Sequence, residues 1–193
     1  HHPWSLTTRG NVAAGKAAKG DYAAALIDFE ITLEGKRALL GEKNTDVGIS
    51  YHNVGSVLSA LGREEEALRH FEAALSIKES GFGPEHVSTA LTQANLGDTL
   101  CELGRLEECM AATTVAERVL GPLGEDHPYA ITGRFVHARA LLELDRAEEA
   151  LPTLREVLEA RQHENPDVLD LALSEFFLAR AIPSCCMHRP TLN

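Results

Sequence analysis

The stretch Asn53-Val54-Gly55-Ser56-Val57-Leu58-Ser59-Ala60-Leu61-Gly62-Arg63-Glu64-Glu65-Glu66-Ala67 decides the fold. Upstream and within it, Val47, Tyr51, Val54, Leu58 and Leu61 recur at three- and four-residue spacing, which lays one apolar stripe along a helix. Gly62 ends that helix, because a residue without Cβ is free to take positive φ. Glu64, Glu65 and Glu66 suit the positive end of a second helix. On that helix Ala67, Leu68, Phe71, Ala74, Leu75 and Ile77 are the core-facing positions, and Gly81, Gly83 and Pro84 close it with a loop. The unit is therefore a pair of antiparallel helices.

The unit repeats. Asn11-Val12-Ala13, Asn53-Val54-Gly55 and Asn95-Leu96-Gly97 are each 42 residues apart, and the small residue continues to Ala138 and Ala179 at steps of 41. Gly20, Gly62, Gly104 and Asp145 form a second register. Ala25, Ala67, Cys109 and Ala150 form a third. Gly41, Gly83 and Gly124, each three residues before Asn44, His86 and His127, form a fourth that His2 also fits. A helix pair cannot bury its stripe alone, so a shared period across four registers predicts stacked pairs, a solenoid. The small residues belong where paired helices cross, with Phe29, Phe71 and Leu154 filling the space beside them and Thr113 standing in that register in the third pair.

Composition narrows the function. Lys and Arg number 18 against 29 Asp and Glu, and a net charge of -11 argues against a nucleic-acid surface. No run of about 18 apolar residues occurs, so no membrane-spanning helix and no membrane partner is predicted. His1 to Gly10 lacks the layout of a secretory signal. The four Cys, at 101, 109, 185 and 186, show no disulfide-framework spacing, which predicts a reducing compartment, the cytoplasm. Cys109, in the small-residue register, reads as a buried thiol and Cys101 as partly exposed.

The quoted residues resemble tetratricopeptide repeats of the long, 42-residue kind found in kinesin light chains. Leu123-Gly124 with His127, Asn95 to Gly97 and Leu61 to Ala67 carry the resemblance, which covers residues 2–182. It implies an all-α, right-handed superhelical solenoid of four helix pairs plus a terminal helix. The expected repeats span about 2–43, 44–85, 86–126, 127–167 and a partial 168–182, with 183–193 as a non-repeat tail. Leu171 to Ile182, with Phe177-Leu178-Ala179-Arg180-Ala181, is also similar to the C-terminal arrays of bacterial serine/threonine kinases, which implies a regulatory or targeting part of a larger, signalling protein.

The resemblance further implies a concave groove, lined by first helices, that takes an extended peptide. Asn11, Asn53 and Asn95 share one register there, and an amide that both donates and accepts suits a peptide backbone. The same register equally suits hydrogen bonds that brace one repeat on the next. His52, Phe135, Arg139 and Arg180 complete the expected groove, with Ser56, Asp98, Phe176 and Arg134 nearby. The late aromatic and Arg residues have hot-spot composition and would suit an acidic, apolar ligand; a salt-bridged face is the competing reading. Self-association through the terminal helix is the alternative to peptide binding.

Catalytic and cofactor signals are weak. Gly10 to Lys16 satisfies part of a phosphate-loop pattern, but Ala17 stands where the magnesium ligand belongs and no strand precedes it. No His pair has metal spacing, Cys185-Cys186-Met187-His188 sits in the orphan tail, and no catalytic motif appears, so no enzyme, metal or cofactor is expected.

Overall fold

The computed structural model describes residues 3–163 and 168–182. Those residues form nine α-helices and one short 3-10 turn, with no strand among them. The helices are α1 (Pro3–Ala17), α2 (Tyr22–Leu40), α3 (Thr45–Ala60), α4 (Glu64–Phe82), α5 (Val87–Glu102), α6 (Leu106–Leu120), α7 (Pro128–Glu143), α8 (Ala147–His163) and α9 (Val168–Ala181). Each odd helix packs on the even helix after it, and each even helix packs on the next odd one. The first helices α3, α5, α7 and α9 also touch one another in series, so they share one face of the solenoid. His2, Asn165-Pro166 and the segment 183–193 lie outside the described residues.

The turns explain the motif residues. Gly20, Gly62 and Gly104 take φ of 79°, 70° and 72°, and Asp145 in the same register takes 58°. Asp is one of the few residues with a Cβ that enters this left-handed region. Immediately after each turn of the second to fourth pairs, an Arg forms a fork with the Glu three residues on: Arg63 with Glu66, Arg105 with Glu108 and Arg146 with Glu149, all at 2.6–2.7 Å. In the first pair Asp21 holds that position and caps α2 instead, accepting from the Ala24 N–H. At the other end of each pair, Asn44, His86 and His127 are N-caps whose side chains accept from the backbone N–H two residues on. Here the imidazole Nδ1 replaces the usual cap oxygen.

The small-residue register is where paired helices touch. Ala13, Ala25, Ala67, Cys109, Ala138 and Ala150 are fully buried. A Cβ on Gly55 would lie 2.8 Å from Phe71 Cε1, and one on Gly97 would lie 2.6 Å from Thr113 Cγ2. Phe71 and Leu154 fill the crossing, at 1% and 0% exposure. Thr113 is equally buried, with its hydroxyl donating to the Cys109 carbonyl. Ala179 is the exception: it is exposed, because no second helix pairs with α9 among the described residues.

One expectation is overturned. Cys101 and Cys109 are joined in a disulfide, their Cα atoms 5.3 Å apart, and Cys101 is buried rather than partly exposed. The reading from spacing failed because the eight-residue separation matches no disulfide framework in one dimension. The α5–α6 hairpin nevertheless folds the two positions onto each other, one on each side of the Gly104 turn.

The packing at the crossing predicts the effect of enlarging it. Gly55→Leu lowers stability by roughly 1–3 kcal/mol in chemical denaturation, overpacking against Phe71 outweighing the gain in helix propensity. An unchanged midpoint contradicts the assignment of Gly55 to the crossing.

Candidate functional site

The shared face of the first helices is built from residues that meet between repeats. In the third repeat the Asn register points at the preceding first helix. Asn95 on α5 donates through Nδ2 to Ser56 Oγ on α3 at 3.3 Å. Val136 holds the same register on α7 and is buried, and Phe177 holds it on α9 and packs edge-on against Phe135 at 5.7 Å. Bracing is therefore part of what this register does. Asn53 is half-buried and Asn11 is exposed on α1. Beside Asn95 a cavity of about 290 Å³ opens between α3 and α5, lined by Ser56, Ser59, Ala60, Phe71, Asn95 and Asp98.

Charges dominate the next turn of the groove. The Arg139 guanidinium on α7 reaches back to Asp98 and Glu102 on α5, and the Phe177 ring lies 5.2 Å from its Cζ on the other side. Its side chain is only 12% exposed. Arg180 on α9 repeats the move, bonding Glu143 on α7 at 2.8 Å with the Phe177 centroid 5.5 Å away. The competing expectation of a salt-bridged face thus describes these two arginines. A sequence signal existed: Asp98, Arg139 and Arg180 lie 41 residues apart, as do Glu102 and Glu143, so opposite charges occupy matching registers on neighbouring helices.

The carboxylates outnumber the cations. Glu64, at the start of α4, has one oxygen buried with no hydrogen-bond partner, and burial raises its pKa, with Glu102 and Asp98 adding to the rise. Burial likewise raises Asp98 against the pull of Arg139. Phe135, expected in the groove, is buried under the Arg161 guanidinium, whose Cζ lies 4.4 Å from the ring centroid. Packing by both α8 and α9 removes it from contact with a ligand. Phe176, its neighbour by register, is exposed. Arg134 turns away from Arg139 to the Glu125 and Ala130 carbonyls.

His52 is half-buried, with its ring engaged by neighbouring helices. Its ring meets Phe71 edge-on at 5.7 Å, and its Nδ1 lies 3.1 Å from Thr92 Oγ1. Lys78, from α4, is 2% exposed and donates to Thr92 Oγ1 at 2.8 Å and to the Ser88 carbonyl at 3.2 Å. Neither acceptor is charged, so two hydrogen bonds but no opposite charge offset the dehydration of the ammonium. Burial pulls Lys78 down to about 8, and burial plus the nearby Lys78 pulls His52 down to about 3. At the N-terminal end, Arg9 and Lys16 both bond the buried Asp28 at 2.6 and 2.7 Å. The Lys of the phosphate-loop-like stretch is thus committed to a carboxylate of α2.

No group of three or more His, Cys, Asp or Glu among the described residues has a metal-holding arrangement. No described helix is long and apolar enough to cross a membrane.

Comparison with known proteins agrees with the geometry. A tetratricopeptide-repeat family model matches residues 4–80 and 51–108. No curated protein matches the sequence. Among solved structures, the nearly identical kinesin-light-chain-type repeats of a Podosopora anserina protein are similar at a TM-score of 0.75 and 20% identity. The match covers 97% of this chain and 90% of that one. BtubC (BKLC) of P. vanneervenii is similar at a TM-score of 0.72 and 18% identity, over 93% of this chain and 72% of that one.

Two bases, the buried Lys78 and the half-buried His52, set a pH dependence. Their folded pKa values lie below the unfolded ones, so the unfolded chain binds the extra proton and stability rises with pH across each window. For Lys78 the window runs from about 8 to 10.5, and for His52 from about 3 to 6.5. Urea denaturation of the parent is expected to gain up to about 3 kcal/mol across the Lys78 window, a rise that Lys78→Met lacks. Parallel pH profiles for parent and variant contradict this assignment.

Proposed function

The chain belongs to the tetratricopeptide-repeat family, and from that premise we propose that it binds an extended segment of a protein partner in the groove formed by α3, α5 and α7. The fold generally mediates protein–protein interaction, and its members are typically non-catalytic scaffolds. The observation that carries the reading is the cavity between α3 and α5, where Asn95, Ser56 and Ser59 offer polar contacts beside the Phe71 ring. Asn53, one repeat earlier, extends the same register.

Charge indicates the kind of segment. Glu64, Asp98 and Glu102 face a single guanidinium, that of Arg139, so the groove complements a segment carrying Lys or Arg rather than the acidic, apolar one that the late aromatic and Arg residues suggested. The wider reading is a regulatory or targeting part of a larger cytoplasmic protein, such as a bacterial signalling kinase, whose catalytic domain would lie outside this chain. Self-association is the alternative, and it rests on α9, where Leu173, Phe176 and Ala179 stand exposed.

Selection from a random peptide library tests the proposal. The parent is expected to enrich Lys- or Arg-bearing peptides, and an Asn53→Ala, Asn95→Ala double variant with a matched thermal midpoint is expected to lose them. Selection of nothing by the parent, or equal selection by both proteins, contradicts groove binding. Light scattering over a concentration range addresses the alternative, which a strict monomer eliminates.

A further inference from the structure

The third helix pair differs from the others at two neighbouring places. Where Phe29, Phe71 and Leu154 fill the crossing in the other pairs, it has Thr113, a side chain that buries far less apolar surface. One turn earlier on the same helix, where the others have Ala25, Ala67 and Ala150, it has Cys109, bonded to Cys101. The residues matching Cys101 in the other pairs are Ala17, Ser59 and Leu142, none of which can form such a bond. The pair that lacks the large core residue is the one held covalently. Thr113 also donates its hydroxyl to the Cys109 carbonyl, so the two places are in direct contact.

We propose that Cys101 and Cys109 are a redox-modified pair whose oxidation state sets the local stability of the α5–α6 hairpin. The substrate class is a small-molecule disulfide, such as oxidised glutathione. One cysteine thiolate attacks it, forms a mixed disulfide and releases one small thiolate. The other cysteine thiolate then displaces the second small thiolate, closing the Cys101–Cys109 bond. The two cysteines lose two electrons in total, the small disulfide gains them, and the two protons end on the two released thiols. Reduction runs the same steps in reverse with a small thiol as reductant. Both cysteines are buried, at 8% and 0% exposure, so reagents reach them when the hairpin opens locally, and exchange follows that opening.

The consequence reaches the groove through α5. Cys101 lies between Asp98 and Glu102, the two carboxylates that hold Arg139, and one turn and a half beyond Asn95. Reduction removes the tie that orders this end of α5 relative to α6 and leaves Thr113 as the sole filler of the crossing. The inference does not depend on the peptide-binding reading, because it is read from thiol state and amide protection alone.

The test uses the full chain in a Cys185→Ser, Cys186→Ser background, equilibrated across ratios of reduced to oxidised glutathione. Alkylation followed by mass spectrometry reads the thiols, and hydrogen exchange reads α5 and α6. The expected result is a two-electron transition of Cys101 and Cys109 together. In the reduced state, the α5–α6 amides exchange roughly tenfold to hundredfold faster while α3 and α4 change little. Adding Thr113→Leu, which restores a large residue to the crossing, is expected to recover most of that protection in the reduced state. Thiols that stay reduced at every ratio overturn the proposal, and so does equal protection in the two states. Loss of protection spread evenly over all helices also overturns it, since the effect would then be global rather than a property of this hairpin.

Discussion

The structure depends on one close approach: two helices crossing where the first must stay small because a side chain of the second fills the space. At Gly55 the Phe71 ring occupies the space a Cβ would need, and at Gly97 the Thr113 methyl does. That contact sets how the two helices of a pair sit together, and so which of their faces are left for neighbours. Each pair then presents an apolar face that its own helices cannot cover, and stacking covers it. The cores follow from this, one gathered around Phe71, Leu58 and Cys109 and the other around Leu120, Leu154 and Phe135. The serial contact of first helices, and with it the groove, is the outcome of repeating one crossing.

The fold was legible because these constraints are periodic. Glycine or alanine at a crossing, glycine or aspartate at a left-handed turn and an Asn or His cap each recur at 41 or 42 residues, and one sequence suffices to see them. The groove was less legible, because its properties depend on which side chains meet across a repeat. Arg139 read alone is a free cation; read with Asp98 in the matching register it is a brace. Phe135 read alone is an exposed aromatic, yet Arg161 and Phe177 cover it. The Cys101–Cys109 bond was missed for a related reason. The hairpin turn brings together positions whose linear spacing carries no disulfide signature. In each case the missing information was a partner one helix away, not the local conformation of the residue itself.

Residues that brace the repeats also line the surface proposed for recognition. Asn95 uses one amide hydrogen bond on Ser56 and still lines the α3–α5 cavity. Arg139 ties α7 to α5 but leaves carboxylate charge in excess around it, with a Glu64 oxygen buried and unpartnered. In the proposed reading, excess negative charge at this point favours a basic segment over an acidic one. Beneath it Lys78 and His52 both meet Thr92 Oγ1, the lysine charged below about pH 8 and the imidazole neutral above about pH 3.

The central claim is that the concave face of α3, α5 and α7 is the recognition surface. Amide chemical-shift mapping during titration with a Lys-bearing extended peptide selected by the protein tests it most directly. The account predicts shifts concentrated on Asn53, Ser56, Ser59, Asn95, Asp98 and Arg139, with α2, α4 and α6 unperturbed on their outer faces. Shifts confined to those outer faces, or to α9 alone, would contradict it.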